Sequence, residues 1–160
     1  MAENHTTIER IEMAFLSLTG VMLVVFLGIL FYATYGLGLQ LPDRDDEVVP
    51  TEVRETPPFD DPGLHQREDG TYELVMLGSA WSFEPNEVTV PAGEEITFVG
   101  TATDVIHGIH VDGTRMNAML IPGQVTRIEY TFEEPGEYLF VCHEYCGAGH
   151  HLMYGTVTVE

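Results

Sequence analysis

One long apolar segment dominates the first part of the chain. Residues 13–41 carry no charged side chain, and about 20 such residues suffice to cross a bilayer as a helix. Tyr32 and Tyr35 lie towards its end, where aromatic side chains favour the membrane surface. Thr6-Thr-Ile-Glu9 fits a capping box and predicts the helix start. The pattern therefore predicts a short N-terminal segment over 1–12 and a transmembrane helix over 13–41. A cleaved signal peptide, with an apolar region of about 7–15 residues, fits less well.

Acidic residues and prolines replace the apolar pattern over residues 42–70. Pro50, Pro57, Pro58 and Pro62 interrupt any periodicity. This composition predicts a linker, either a free tether or an extended segment that lies on a partner.

Short β-rich runs separated by turn residues follow from Tyr72 to the end of the chain. Turns are predicted at Pro91-Ala-Gly93, Asp112-Gly113, Pro122-Gly123 and Pro135-Gly136. The predicted strands are Tyr72 to Leu77, Glu87 to Val90, Glu95 to Val99, Val105 to Val111, Arg127 to Phe132, Glu137 to Cys142 and Gly155 to Val159. About seven strands at this spacing favour a mainly β sandwich or barrel over residues 71–160.

The net charge argues against polyanionic partners. The chain has 26 acidic and six basic residues, the basic ones all Arg, and its formal net charge is −20. Nucleic acid and anionic lipid would both repel such a surface. The absence of Lys leads to the hypothesis of a halophile protein, because at about 1 M salt a Debye length of about 3 Å screens the repulsion among carboxylates.

Metal-binding side chains cluster near the C-terminus, in Cys142-His-Glu-Tyr-Cys146-Gly-Ala-Gly-His150-His-Leu-Met153. Thiolate and thioether are soft ligands and imidazole is borderline, so the mixture favours copper over cations that prefer oxygen. Strand alternation adds one more donor, because His107 shares the inward face of its strand with Ile109 and Val111, whereas His110 points away. By the same rule Cys142 points inward with Phe140.

Several interpretations of this cluster compete. Two cysteines in a domain outside the cytoplasm are typical of a disulfide. Structural zinc has no use for Met153, and a mononuclear blue-copper site leaves one cysteine unexplained. Two copper ions bridged by Cys142 and Cys146, each ending on one of His107 and His150, use every donor.

The motif resembles that of subunit II of the haem-copper oxygen reductases, Cys-x-Glu-x-Cys-x-x-x-His-x-x-Met with an upstream His. Asp104-Val-Ile-His107-Gly-Ile-His-Val and Pro135-Gly-Glu-Tyr also fit. The single span, acidic linker and β domain resemble the one-helix type of this subunit over the whole chain. The implied fold is a cupredoxin-like Greek-key sandwich preceded by one transmembrane helix.

The resemblance also implies a ligand set for a dinuclear copper centre, called CuA in the family. Cys142 and Cys146 are the bridging thiolates, His107 and His150 the terminal imidazoles, and Met153 the weak axial ligand of one copper. The backbone carbonyl of Glu144 serves the other copper, and in some members the side chain there helps to bind a magnesium ion.

By the same resemblance, electrons come from a soluble donor, a cytochrome c or a small blue-copper protein, and pass to haem in subunit I, where O2 is reduced to water. Flanking charges at Arg10 and Arg44 do not orient the span, so orientation follows from this role: the N-terminus lies in the cytoplasm and the copper domain outside. Trp81, in Ala80-Trp-Ser-Phe83-Glu-Pro85, is either an exposed donor-docking aromatic or a core residue.

Several other residues are not expected to bind the metal, and other functions are less well supported. The histidines outside the motif, His110, His143 and His151, are expected near the site or on the surface, and Glu9 and Glu12 in helix capping or solvent. A membrane-anchored copper-delivery cupredoxin and a disulfide-closed surface domain are the alternative functions. Nitrous-oxide reductase shares the motif, but it is a longer soluble protein with a second copper domain.

Overall fold

The computed structural model describes residues 2–37 and 47–160, with side chains in the first range from Ile8 onward. The chain divides into two compact units, residues 1–41 and 42–160. The first is a helix, α1, over Ala2–Gly36. It begins before Thr6, so the predicted start there is wrong; the Thr6 side chain and residues 38–41 of the predicted span lie outside the described residues.

Helix α1 has the length and composition of a membrane span. Its segment Ile8–Gly36 has 29 residues and a mean hydropathy of 2.5, and its side chains are not buried within the chain. At about 1.5 Å per residue the segment is roughly 43 Å long, more than the hydrocarbon core of about 30 Å requires. The predicted apolar anchor is therefore present as a continuous helix.

The second unit is built of strands. In order along the chain they are β1 (Gly63–Gln66), β2 (Tyr72–Ser79), β3 (Ser82–Glu84), β4 (Glu87–Val90), β5 (Glu95–Ala102), β6 (His107–Val111), β7 (Asn117–Leu120), β8 (Thr126–Thr131), β9 (Gly136–Val141) and β10 (Tyr154–Val159). Two one-turn 3-10 helices, Val53–Glu55 and His150–Leu152, lie among them. All seven predicted strands are present within a few residues; β1, β3 and β7 were not predicted.

Two sheets enclose the core. The first has the order β1-β2-β5-β8 with β3 beside β2, and the second has the order β4-β10-β9-β6-β7. Strands β2 and β5, like β4 and β10, pair in parallel although they are not consecutive, so the connections cross between the sheets. Apolar side chains from both sheets, among them Met76, Phe98 and Phe140, fill the interior. The predicted mainly β sandwich is confirmed.

A strap of residues 47–62 covers the outer face of the first sheet. Its Val48, Val53 and Phe59 are buried against Val75, Leu77, Val99 and Val125 of the sheet side. Arg54 forms an ion pair with Glu84 of β3. The predicted linker over 42–70 is thus corrected from Glu47 onward: the strap and β1 pack onto the domain, because the outer face of β2 is apolar and must be covered. Residues 42–46 lie outside the described residues.

Candidate metal centre

The candidate ligands converge at one end of the sandwich because two strands of the second sheet end there. His107 is the first residue of β6, and Cys142 directly follows β9. The Cys142 amide donates to the Met153 carbonyl at 3.0 Å, which closes the base of the loop between β9 and β10. Within the loop His150 occupies the short 3-10 helix. The loop therefore places four of the five side-chain donors and the Glu144 carbonyl, and β6 supplies the fifth side chain from the neighbouring strand.

The donor atoms form one compact cluster. The sulfurs of Cys142 and Cys146 lie 3.8 Å apart, too far for a disulfide, in which the S–S bond is about 2.05 Å, and both cysteines are free. His107 Nδ1 lies 3.9 Å from the Cys142 sulfur, and His150 Nδ1 lies 3.5 Å from the Cys146 sulfur.

Two weaker donors complete the set. The Glu144 carbonyl oxygen lies 3.2 Å from the Cys142 sulfur. The Met153 sulfur lies 3.6 Å from the Cys146 sulfur. The structure thus brings together all the residues that the sequence predicts as ligands.

Burial makes the cluster suitable for a tightly held soft metal. His107 is 0% exposed, Met153 2%, Cys142 6% and Cys146 8%. The ligand atoms of His107 and the two cysteines all lie within 4.8 Å of one another. Two thiols, two imidazoles and a thioether around one point match the ligand preferences of copper, so these residues fit a copper centre.

Burial also governs the protonation of the cluster. Desolvation, with a smaller effect from the adjacent Cys142, raises the pKa of Cys146 to about 11. The metal-free protein therefore keeps Cys146 as a neutral thiol at neutral pH. Copper binding must release its proton, because the thiolate is the ligand form.

Asp104 is a functional residue that sequence reasoning missed. Its Oδ1 lies 2.8 Å from His107 Nε2, and its two oxygens also accept the amides of Ala80 and Val105, each at 2.7 Å. Partial burial acts to raise the pKa of Asp104, but these hydrogen bonds outweigh it and hold the pKa below its usual value. Its place three residues before His107 was the available signal.

Trp81 is attached to the ligand loop and exposed to solvent at the same time. The side chain is 45% exposed, so a core Trp is excluded. Its indole Nε1 donates to the Cys146 carbonyl at 3.1 Å. A side chain at Gly149 would approach the indole Cδ2 to 2.4 Å, and Gly147, at a φ of +118°, would also meet the ring. The two glycines therefore form the seat of the indole.

The remaining predicted residues lie around the cluster rather than in it. The His143 ring covers Gly108 on the outer face of β6, and its Nδ1 lies 3.6 Å from the half-exposed Glu144 carboxylate. His151 is exposed. His110 is on the outer face, and its Nδ1 is buried without a hydrogen-bond partner in the described part of the chain. A magnesium ion at the Glu144 side chain stays a prediction. Glu9 and Glu12 are exposed on α1.

Proteins with sequences similar to this chain are described as cytochrome c oxidase subunit II. The family model for the periplasmic domain of cytochrome c oxidase subunit II matches residues 74–159. A cytochrome c oxidase subunit 2 from Thermus thermophilus is 39% identical over an alignment that covers 98% of this chain and 95% of the relative.

Solved structures of oxidase subunits are also similar to this chain. A chain in the cryo-EM structure of a heme-copper terminal oxidase dimer matches 93% of this chain and 99% of its own length, with a TM-score of 0.74 and 36% identity. The periplasmic domain of subunit II of cytochrome oxidase from Bradyrhizobium japonicum covers 55% of this chain and 83% of its own, with a TM-score of 0.52. At 21% identity this last match shows the shared cupredoxin-like fold alone.

Proposed function

Because the chain belongs to the cytochrome c oxidase subunit II family, we propose that it is the subunit through which electrons enter a membrane-bound terminal oxidase. In this proposal its cupredoxin-like domain accepts electrons from a soluble donor, a cytochrome c or a small blue-copper protein. The electrons pass to haem in subunit I, where O2 is reduced to water. The chain itself makes and breaks no bond of the substrate.

One observation carries the proposal: the buried sulfur pair is surrounded by two imidazoles, one thioether and one carbonyl. If two copper ions share both sulfurs, four donors remain, which is two for each ion. A mononuclear site would leave part of this set without a role. The donor count therefore supports a dinuclear centre held by His107, Cys142, Glu144, Cys146, His150 and Met153.

A dinuclear copper centre, when bound, takes up and gives up one electron with little change in its bonds. The residues of the chain supply the conditions for this. Strands β6 and β9 fix His107 and Cys142 before the metal arrives, and the β9–β10 loop is closed by the bond from Cys142 to Met153. Burial of His107, Met153 and the two cysteines limits the access of water to their donor atoms. A site prepared in this way reorganises little during electron transfer.

The alternative, a membrane-anchored copper-delivery protein, needs ligands that exchange readily. Burial of His107 and Met153 opposes it, since metal exchange requires access to the donor atoms. The two functions differ in one measurable respect, because a delivery protein works without a haem-bearing partner.

The test is copurification from the membranes of the organism that makes the protein. A tagged chain, extracted in mild detergent, is expected to bring down a haem-bearing large subunit and to consume O2 with a reduced soluble donor. The control is the Cys142→Ser, Cys146→Ser double variant, which changes the size of the two side chains little and removes both thiolates. It should retain the haem subunit and lose oxygen consumption. Isolation of the chain without haem would contradict the proposal.

Orientation belongs to the same proposal. Helix α1 crosses the membrane once, with the N-terminus in the cytoplasm and residues 47–160 outside, where soluble donors meet them. Protease added to intact cells is expected to cut the copper domain from its anchor in the acidic segment before Glu47. Protection of that segment in intact cells, with cleavage only after lysis, would indicate the opposite topology.

A further inference from the structure

The Asp104 carboxylate connects one metal-ligand residue to a neighbouring turn. Its Oδ1 faces His107 Nε2 at 2.8 Å and the Val105 amide at 2.7 Å, and its Oδ2 accepts the Ala80 amide at 2.7 Å. The carboxylate therefore has three partners, two of them backbone groups with fixed directions. Such a carboxylate has little freedom to rotate away from the imidazole.

This geometry selects one tautomer of His107. A carboxylate can only accept hydrogen bonds, so the proton in the contact must belong to Nε2. In a neutral imidazole the other nitrogen, Nδ1, then carries a lone pair. That atom faces the Cys142 sulfur at 3.9 Å, inside a site where the ring is 0% exposed.

The Ala80–Trp81 turn links the two sides of the site. Ala80 donates its amide to Asp104, whereas Trp81 donates its indole N–H to the Cys146 carbonyl at 3.1 Å. Asp104 and Trp81 thus hold His107 and Cys146 through a single turn of the chain. The exposed indole and the buried imidazole are parts of the same hydrogen-bonded unit.

We propose that Asp104 is a positioning residue, which holds His107 as the Nε2–H tautomer with Nδ1 directed at the sulfur pair and ties this ring to the Ala80–Trp81 turn. The proposal rests on the proposed function only in taking His107 as a copper ligand. Outer partners of ligating imidazoles typically change metal affinity about 10- to 100-fold when they are removed.

The first test needs no substitution and no metal. In the metal-free, full-length protein with ¹⁵N-labelled histidine, NMR is expected to find the His107 ring proton on Nε2. The hydrogen bond to Asp104 should make this proton exchange slowly with solvent. A His107 ring with its proton on Nδ1 would overturn the proposal. Copper binding plays no part in this readout, so its outcome is independent of the oxidase function.

The second test measures copper affinity of the full chain by competition with a chromophoric Cu(I) chelator. In Asp104→Asn the side-chain NH2 must face either the Ala80 amide or the His107 N–H, so at least one hydrogen bond is lost. We expect the dissociation constant for copper to rise at least about 10-fold, and by up to about 100-fold in Asp104→Ala. Wild-type affinity in Asp104→Ala would overturn the proposal.

The matched control is Asp112→Asn, at the other end of β6. It removes the same charge, but among the described residues the Asp112 carboxylate accepts a hydrogen bond only from the amide of Gly113, within its own turn. Its copper affinity should equal that of the wild type. A loss as large as that of Asp104→Asn would mean that charge rather than positioning is responsible. If the wild type binds copper but transfers no electrons, the proposed function fails and this inference stands.

Discussion

At the scale of single residues, the candidate centre combines side chains that need burial with a need for access to the surface. His107 and the cysteines need burial, which keeps water from a soft metal, whereas an electron donor needs a path to the surface. Trp81 is the residue that satisfies both, since it is 45% exposed and bonded to the Cys146 carbonyl. We therefore propose two functions for it, contact with the soluble donor through its exposed ring and support of the ligand loop through its N–H.

Substitutions at Trp81 separate these functions. Trp81→Leu removes the aromatic surface and should slow reduction by the soluble donor about 10-fold, the effect of losing one aromatic anchor of ~1.4 kcal/mol from an interface. Trp81→Phe keeps an exposed ring but loses the bond to Cys146, so donor reduction should stay nearer to that of the wild type. Stopped-flow mixing with reduced donor measures both. Equal rates in Trp81→Leu and the wild type would contradict a docking role.

Residue-scale patterns also explain what the sequence could predict of the site. The ligands of the β9–β10 loop are close in sequence, and strand alternation alone directs His107 and Cys142 inward. The contact of Asp104 with His107 spans only three residues, so its spacing was a usable signal. The bonds from Ala80 to Asp104 and from Trp81 to Cys146 were not predictable, because they join segments that only the tertiary fold brings together. Local patterns carry no information on such pairs.

At the scale of elements, the strap changes the picture of the chain between the membrane and the copper domain. Strand β2 is buried on both faces: Leu74 and Met76 face the core of the sandwich, and Val75 and Leu77 face the strap. The strap is therefore part of the domain.

Phe59→Ala tests whether the strap belongs to the folded domain. The Phe59 side chain is 2% exposed, and truncating a buried Phe typically costs about 3–5 kcal/mol. The unfolding midpoint in denaturant should fall accordingly. The matched control is Val49→Ala in the same strap, where the side chain is 54% exposed and the cost should stay within about 0.5 kcal/mol. If Phe59→Ala were as stable as Val49→Ala, the strap would not belong to the folded domain and the interpretation as a free tether would be correct.

The same elements show where prediction from sequence ends. The seven predicted strands have clear β-rich runs between turns, but β1, β3 and β7 have only three or four residues each, too few to show a period. The strap is rich in Pro and acidic residues, which are typical of linkers, and its three buried apolar side chains are widely spaced. The apolar outer face of the first sheet, with Val75 and Leu77 of β2 and Val99 of β5, gives them a place to pack.

At the scale of the whole molecule, charge is the dominant property. With 26 acidic residues, six arginines and no Lys, the chain repels itself in dilute buffer. We infer an adaptation to high salt, in which screening removes this repulsion.

This inference predicts that salt stabilises the protein. Between dilute buffer and multimolar NaCl the midpoint of thermal unfolding should rise by at least about 5 °C, the change that ~1 kcal/mol produces in a domain of this size. Sucrose at matched osmolality is the control, since it favours compact states without screening charge. No gain in NaCl beyond the gain in sucrose would contradict the inference.

The central claim concerns the number of metal ions that the buried cluster holds. The direct measurement is the copper content of the purified full chain, together with its electron paramagnetic resonance spectrum after partial reduction. We predict two copper ions per chain and a hyperfine pattern from one unpaired electron shared by two copper nuclei. One copper per chain with the hyperfine pattern of a single nucleus, or colourless protein with a Cys142–Cys146 disulfide, would contradict the account.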